Sequence, residues 1–249
     1  QCRICEKICP TQAIDWQQTD QVVTDKFGAI IVATGYQPFD PKGYTELGAG
    51  KYPDVITGLE LERLMSASGP TNGEVKRPSD GGEVKSVVFI QCAGQRDEAM
   101  ESGGKHLPYC SGHCCATSIK QAMYFKDANP DIDTMVMYTD LRVPGTGEDF
   151  YRSGQQKGVT FTKGKTSSVE AAGNACKVNF KDLILNEDVS VEADLVVLAT
   201  GMVANSGMNI DIPEEEVAKM EVKPISILNL NFRQGKDMPQ LKNGFADSH

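Results

Sequence analysis

Seven of the eight cysteines in this 249-residue chain fall into two groups. One is Cys2-x-x-Cys5-x-x-x-Cys9-Pro10 at the amino end; the other is Cys92 with Cys110-x-x-x-Cys114-Cys115 at mid-chain. Thiolates spaced like the first group can reach one metal centre from a single tight loop, and Pro10 cannot continue that loop as a helix. C-x-x-C alone serves zinc and iron–sulfur sites alike. The added Cys-Pro favours iron–sulfur chemistry, in which thiolates hold a [4Fe–4S] cluster and electrons pass one at a time. Cys2, Cys5 and Cys9 are therefore candidate cluster ligands, with structural zinc or free thiols as the alternatives.

This run is the later part of the ferredoxin signature C-x-x-C-x-x-C-x-x-x-C-P. Its first cysteine would precede Gln1, and the chain does not open on Met, so the sequence reads as a piece of a longer polypeptide. In two-cluster ferredoxins the cysteine before Pro serves the other cluster. Cys2 and Cys5 would then share one cluster and Cys9 would serve a second.

The mid-chain group sits on an expected strand–turn–helix unit. Cys92 follows the apolar run Ser86–Gln91, and Cys110, Cys114 and Cys115 arrive where the next helix begins. A helix amino end carries unpaired N–H groups and partial positive charge, which favours thiolates and a negatively charged cluster. Four thiolates could close a [4Fe–4S] site without an outside ligand. A redox disulfide, zinc, or inert buried thiols remain open, although adjacent cysteines are awkward for a zinc tetrahedron. Cys176 stands alone and reads as a packed side chain. His113 could donate to a cluster sulfur and raise its potential; a solvated histidine at the helix start is the favoured expectation. Arg96, Asp97 and Glu98 read as a solvated turn, and Asp140 and Arg142 as structural residues.

The elements that would position these groups are those of an α/β protein. Gly28–Gly35 and Ala193–Gly201 are short apolar runs ending in Ala-Thr-Gly, as suits strands buried on both faces of a parallel sheet. Between them come strands at 86–91, 134–138 and 159–161, and helices at about 114–127 and 148–156, which is doubly wound order. A capping box, Thr57-Gly-Leu-Glu60, starts an earlier helix that runs to about Ala67. Residues 165–192 read as a β-hairpin excursion with its turn at Gly173-Asn174. Two matching Ala-Thr-Gly strand ends point to a flavoprotein with paired dinucleotide-binding domains, because small residues let backbone approach a cofactor; two ordinary sheet strands with tight turns are the alternative. The G-x-G-x-x-G phosphate fingerprint is absent from the chain.

Composition excludes several classes. Hydrophobic residues make up 40% and charged residues 24%, ordinary for a globular domain. A net charge of −9 argues against nucleic acid, whose phosphates require a basic face. No run reaches the roughly 20 apolar residues of a membrane span. Cysteines at metal-type spacing suit a reducing cytoplasm.

Phe89-Ile-Gln-Cys-Ala-Gly-Gln-Arg-Asp-Glu98 and Tyr109-Cys-Ser-Gly-His-Cys-Cys-Ala-Thr-Ser-Ile-Lys-Gln-Ala122 resemble the A-subunit family of heterodisulfide reductase, as do Cys9–Ile14, Gly28–Tyr36 and Val55–Arg63. The tail Asn229–Asp237 is similar to the B-subunit of the quinone-interacting membrane-bound oxidoreductase complex of sulfate reducers. The resemblance implies a thioredoxin-reductase-like FAD fold with a ferredoxin insertion. It carries four [4Fe–4S] ligands onto Cys92, Cys110, Cys114 and Cys115, and ferredoxin-type ligands onto Cys2, Cys5 and Cys9. It places FAD contacts at Ala33, Thr34 and Gly35 and at Thr200 and Gly201. It implies the other subunits of such a complex as partners, membrane contact only through a partner subunit and, in the sulfate-reducing setting, adenylylsulfate reductase.

The expected organisation is a ferredoxin remnant over 1–15, part of a FAD-binding domain over 16–69, and a linker over 70–83. A central NAD(P)-binding-like domain carrying the cysteines follows over 84–203, and 204–249 return to the FAD-binding domain. Two competing functions stand beside electron transfer: a pyridine-nucleotide disulfide oxidoreductase using Cys114 and Cys115, and a zinc-stapled interaction module without catalysis.

Overall fold

The computed structural model describes residues 3–29, 31, 33, 35–97, 101–103 and 105–204. They group into two units, divided between residues 33 and 34. In the first, helix α1 (Ile4–Ile8) carries Cys5 and ends at Cys9, whose N–H donates to the Cys5 carbonyl at 3.1 Å. Cys9 is extended, as a residue before proline must be, and Pro10 turns the chain. Of the strand expected over 28–35, none of the described residues lies in a strand. Its described residues are irregular and exposed, Ile31 by 92%. A buried parallel strand needs ladder partners and cover on both faces, and no described strand pairs with this run.

The second unit holds β1 (Tyr36–Pro38), β2 (Val55–Thr57), α2 (Gly58–Met65), β3 (Ser86–Ile90), α3 (Cys114–Ala128), β4 (Asp133–Tyr138), α4 (Gly147–Gln156), β5 (Thr160–Ala172), β6 (Ala175–Asp182), β7 (Asp188–Ala193), β8 (Leu195–Leu198) and β9 (Met202–Ala204). β1 pairs antiparallel with β9; the others form one sheet in the order β2-β8-β3-β4-β5-β6-β7. The pairings from β2 through to β5 are parallel and the last two antiparallel. Residues 55–65, grouped by sequence with a FAD-binding domain, contribute β2 and α2 to this central sheet. The Thr57–Glu60 capping box is present, with both reciprocal bonds made.

The two faces of the sheet are covered differently. On one, Leu61 of α2 and Ile119, Ala122 and Phe125 of α3 pack against Val87, Phe89, Val136 and Val197. On the other, Val169, Cys176, Val178 and Phe180 of the β5–β7 excursion pack against Val88, Ile90, Met137 and Leu198. The described α-helices therefore cover only one face, where doubly wound order led one to expect both; on the other, Leu47 of a short 3-10 turn joins the β5–β7 residues. β5 makes this possible. Its first residues pair with β4, and from Gly164 onward it pairs with β6. A Cβ at Gly164 would stand 2.8 Å from the Phe180 ring, so glycine lets the two strands close.

Tyr44 joins the second core to the turn after β3. It is fully buried, stacks on Phe39 and meets His106 edge-on. Its hydroxyl donates to the Ala93 carbonyl at 3.1 Å. Tyr44→Phe should leave that carbonyl unpaired and lower stability by about 1–2 kcal/mol; urea unfolding checks this, and an unchanged midpoint would contradict it.

Candidate functional site

Two loops at the carboxyl ends of the strands carry the mid-chain cysteines. The first continues β3. Gln91 N–H still bonds across to Met137, and then Cys92 to Gln95 form a tight turn closed by Gln95 N–H to the Cys92 carbonyl at 3.0 Å. Gly94, at the third position, has φ +68°, as a type II turn requires. Cys92 and Arg96 also lie in the left-handed region, at φ 55° and 59°. For residues with side chains this costs about 1–3 kcal/mol each and persists only where the surroundings enforce it. They do: Leu107 N–H bonds to Gly94, Arg96 N–H to Tyr109 and Asp97 N–H to Leu107, clamping this loop onto the second.

The second loop holds Cys110, whose sulfur accepts from Gly112 N–H at 3.4 Å. His113 caps α3, and Cys114 and Cys115 are its first two residues. Cys115 sulfur accepts the backbone N–H of Arg142 at 3.4 Å, and Cys114 sulfur accepts the Gln95 side-chain amide at 3.7 Å. The four thiols sit close enough to feel one another's charge. Burial pushes the Cys92 thiol up to about 11, with repulsion from Cys115 and Cys110 adding to the rise and the Arg96 guanidinium opposing it. Burial likewise raises Cys114 and Cys115. A reactive redox thiol needs the opposite, a depressed pKa, so Cys114 and Cys115 are poorly disposed to act as an exposed exchange pair. Binding as thiolates would require their protons to leave.

Three buried side-chain nitrogens in this neighbourhood lack partners, two of them donors and the His113 ring nitrogen a donor in one tautomer. Gln91 Nε2, Arg96 Nε and His113 Nδ1 are buried without a partner, as is Gln91 Oε1. Buried polar groups are almost always paired, and cluster sulfides would accept such donors. The residues present thus fit a cluster. They do not fit a single ion: among the described residues no three His, Cys, Asp or Glu side chains converge as one metal requires. A [4Fe–4S] site instead spreads its four thiolates over four irons.

Two clefts border these cysteines, one at Cys92 and one at Cys114. One, of about 300 Å³, is lined by Gln91, Cys92, Arg96, Thr139, Lys165 and Thr166. The other, of about 380 Å³, is lined by Tyr36, His113, Cys114, Lys120, Thr200 and Gly201, at the ends of β2 and β8. Gln121, 1% exposed, borders the second cleft; its amide nitrogen bonds to Gly58 and Glu62, and its oxygen has no partner. Burial pushes the Glu62 carboxyl up, but the bonds from Gln121 and Lys120 outweigh it and hold the group low. A larger groove, about 1220 Å³, opens at the amino ends of the strands beside Lys85 and Ile132, and no cysteine lines it. Ligands in open α/β sheets bind at carboxyl ends, so the smaller clefts are the candidates.

No family model matches the chain. It is 41% identical over 210 residues to the A-subunit of the H(2):CoB-CoM heterodisulfide,ferredoxin reductase of Methanothermobacter marburgensis, a match that covers 83% of this chain and 31% of that protein. It is 42% identical over 202 residues to the A-subunit of the Ferredoxin/F(420)H(2)-dependent CoB-CoM heterodisulfide reductase of Methanosarcina acetivorans, covering 80% and 25%. The chain is homologous to the A-subunit of heterodisulfide reductase. It spans about a third or less of the length of these relatives. Among solved structures it is similar to thioredoxin reductase of T. acidophilum, with 11% identity, a TM-score of 0.38, and coverage of 69% of this chain and 43% of that one. The flavoprotein disulfide reductase RclA of Escherichia coli gives a TM-score of 0.39 at 11% identity, covering 69% and 30%. The α/β, Rossmann-like assignment stands on the sheet order.

In this heterodisulfide reductase homologue the four mid-chain cysteines lie on the two clamped loops and the start of α3, while Cys5 and Cys9 belong to the other unit. Cys5 is exposed. Hydrogen bonds from the Thr11 hydroxyl, at 3.4 Å, and from Ala13 N–H hold the Cys9 thiol below its usual range. Cys2 and Thr34 lie outside the described residues, as does the tail at 229–237. Ala33 and Gly35 are exposed and irregular. Thr200 is buried. Gly201, at φ +79°, allows Gln95 and Ser111 to pack where a Cβ would fall 2.3 and 2.6 Å from them. Cys176 is a packed core side chain, as expected.

Two expectations need correcting. Arg96 is not a solvated side chain: it is 19% exposed and bonds to Thr139 and Asp140 at 3.1 and 2.8 Å. The same contact bears out a structural Asp140. His113 is half-buried, 6.2 Å ring to ring from Tyr36, with its pKa lowered by burial. Gln91, Gln95, Ser111 and Tyr44 were not singled out at all. No spacing rule marks them, because their roles come from the clamp between two loops distant in sequence.

Proposed function

We propose that this chain is part of an electron-transfer subunit in which Cys92, Cys110, Cys114 and Cys115 hold a [4Fe–4S] cluster beside a flavin. The carrying observation is the group of buried, unpartnered side-chain nitrogens at Gln91, Arg96 and His113 around a cysteine quartet. Bound FAD would supply exchange between electron pairs and single electrons, and the cluster would conduct single electrons. The protein's own part is geometry. Arg96 sets positive charge at Cys92 and is fixed by Asp140. The amino end of α3 presents Cys114 and Cys115 with favourable dipole charge. The ring end of a flavin would lie in the cleft lined by Tyr36, Lys120, Thr200 and Gly201. Ala33, Thr34 and Gly35 are further proposed flavin contacts. Cys2, Cys5 and Cys9 are proposed ligands of ferredoxin-type clusters.

The partners follow from the relatives' names: other subunits of a heterodisulfide-reductase-like complex. A quinone-interacting version, exchanging electrons with adenylylsulfate reductase, rests on the resemblance of residues 229–237 alone. No described helix is long and apolar enough to cross a membrane. The proposed domain division is that set out from the sequence, with residues 55–65 placed in the central sheet.

The test is iron, acid-labile sulfide, zinc and flavin analysis of the anaerobically purified full-length protein, followed by EPR of its reduced form. Iron and sulfide in matching amounts, flavin, and cluster signals are expected. Stoichiometric zinc without visible absorbance, or NAD(P)H consumption without iron, would overturn the proposal in favour of an interaction module or a thiol oxidoreductase.

A further inference from the structure

One side chain joins both halves of the proposed site without being a ligand. Gln95 is 7% exposed, and its amide makes a bond in every direction it can reach. Its nitrogen donates to Cys114 sulfur at 3.7 Å and to the Ala199 carbonyl at 3.0 Å. Its oxygen accepts from Ser111 N–H at 3.1 Å and from the Ser111 hydroxyl at 2.8 Å. The Ser111 hydroxyl in turn accepts Met202 N–H at 2.8 Å, and Tyr109 hydroxyl donates to the Met202 carbonyl at 3.0 Å. The backbone N–H of Gln95 closes the turn on Cys92. Gly201 has no side chain where the Gln95 amide lies, so the strand end is shaped to admit this residue. One amide therefore ties the Cys92 turn, the Cys110–Cys114 loop and the Ala199–Met202 strand end, which lines the flavin-sized cleft.

We infer that Gln95 is a positioning residue that tunes the cluster through Cys114 and holds that sulfur in register with the cleft. The inference rests on the cluster reading above. Its chemistry is directional. An N–H donated to a ligand sulfur stabilises the reduced, more negative cluster and so raises its potential. The oxygen is committed to Ser111, so the amide cannot flip without losing both sets of bonds. A side chain of the same length that cannot donate should therefore leave the cluster bound and lower its potential.

The experiment is an EPR-monitored redox titration of the anaerobic full-length protein, with iron, sulfide and flavin counted in each sample. Gln95→Met should keep iron and sulfide content and shift the midpoint of one cluster to lower potential, leaving the flavin midpoint in place. Gln95→Glu keeps an acceptor for Ser111 but sets an anionic oxygen at the sulfur, and should shift the same cluster further down. An unchanged midpoint in either variant with full iron content would overturn the inference. If neither variant folds, pulsed EPR of the reduced Gln91→Met protein, labelled with ¹⁵N at glutamine side-chain amides, decides it, because Gln91 is the other glutamine with an unpartnered amide near the cysteines: a coupled ¹⁵N supports the Gln95 bond and its absence refutes it. An unsubstituted protein that contains flavin but no iron would instead overturn the cluster reading, and this inference with it.

Discussion

Cys110→Ser and Cys114→Ser, made singly in the full-length protein, should each abolish one EPR cluster signal and leave the ferredoxin-type signals intact. Serine keeps the shape and the local hydrogen bonds; position 110 would still receive Gly112 N–H, and position 114 the Gln95 amide. What it removes is the thiolate, the ligand on which iron–sulfur binding depends. The effect is all-or-none in the spectrum and small in fold stability. Cys176→Ser is the matched control. That thiol is buried in the β5–β7 core, with burial holding it up to about 11, and no other cysteine lies in that core. Its loss should cost stability and no signal. Survival of every signal in the Cys110 and Cys114 variants would refute the ligand assignment.

Gly94→Ala should be strongly destabilising. The added Cβ would stand 2.3 Å from the Tyr44 ring, at a residue with φ +68°. Tyr44 is fully buried and bonded through its hydroxyl to Ala93, so it cannot retreat. Backbone strain and overpacking together should cost about 3–5 kcal/mol, a large part of the roughly 5–15 kcal/mol that holds a domain folded. Gly173→Ala separates the two effects. That glycine also has positive φ, at 62°, but nothing lies within 4 Å of the new carbon. It should lose only about 1 kcal/mol. Denaturant unfolding of both variants tests this, and equal losses would show that the Tyr44 contact does not carry the difference.

The parts of this molecule that could be read from sequence are those governed by local rules. β3, β4 and β8 announce themselves as buried apolar runs, α2 by its capping box, and α3 by its stripe of Cys115, Ile119, Ala122 and Met123. The hairpin turn at Gly173 was legible for the same reason. The described residues of the 28–35 run form no strand, and an apolar pattern by itself states what a strand would bury, not which strand it pairs with. The cysteine quartet was legible as residue types at metal-type spacing. The tuning groups were not. Arg96 looked like part of a charged turn because Arg-Asp-Glu is a solvated sequence, yet Thr139 and Asp140, more than 40 positions on, draw its guanidinium inward. Gln95 draws its partners from residues 111, 114 and 199, a set that only the closed fold assembles.

The most direct measurement is anomalous X-ray scattering at the iron edge from crystals of the full-length protein grown without oxygen. The account predicts an iron peak enclosed by the sulfurs of Cys92, Cys110, Cys114 and Cys115, next to the Gln95 amide. A peak only at the zinc edge, or four sulfurs with no metal scattering between them while flavin is bound nearby, would contradict it.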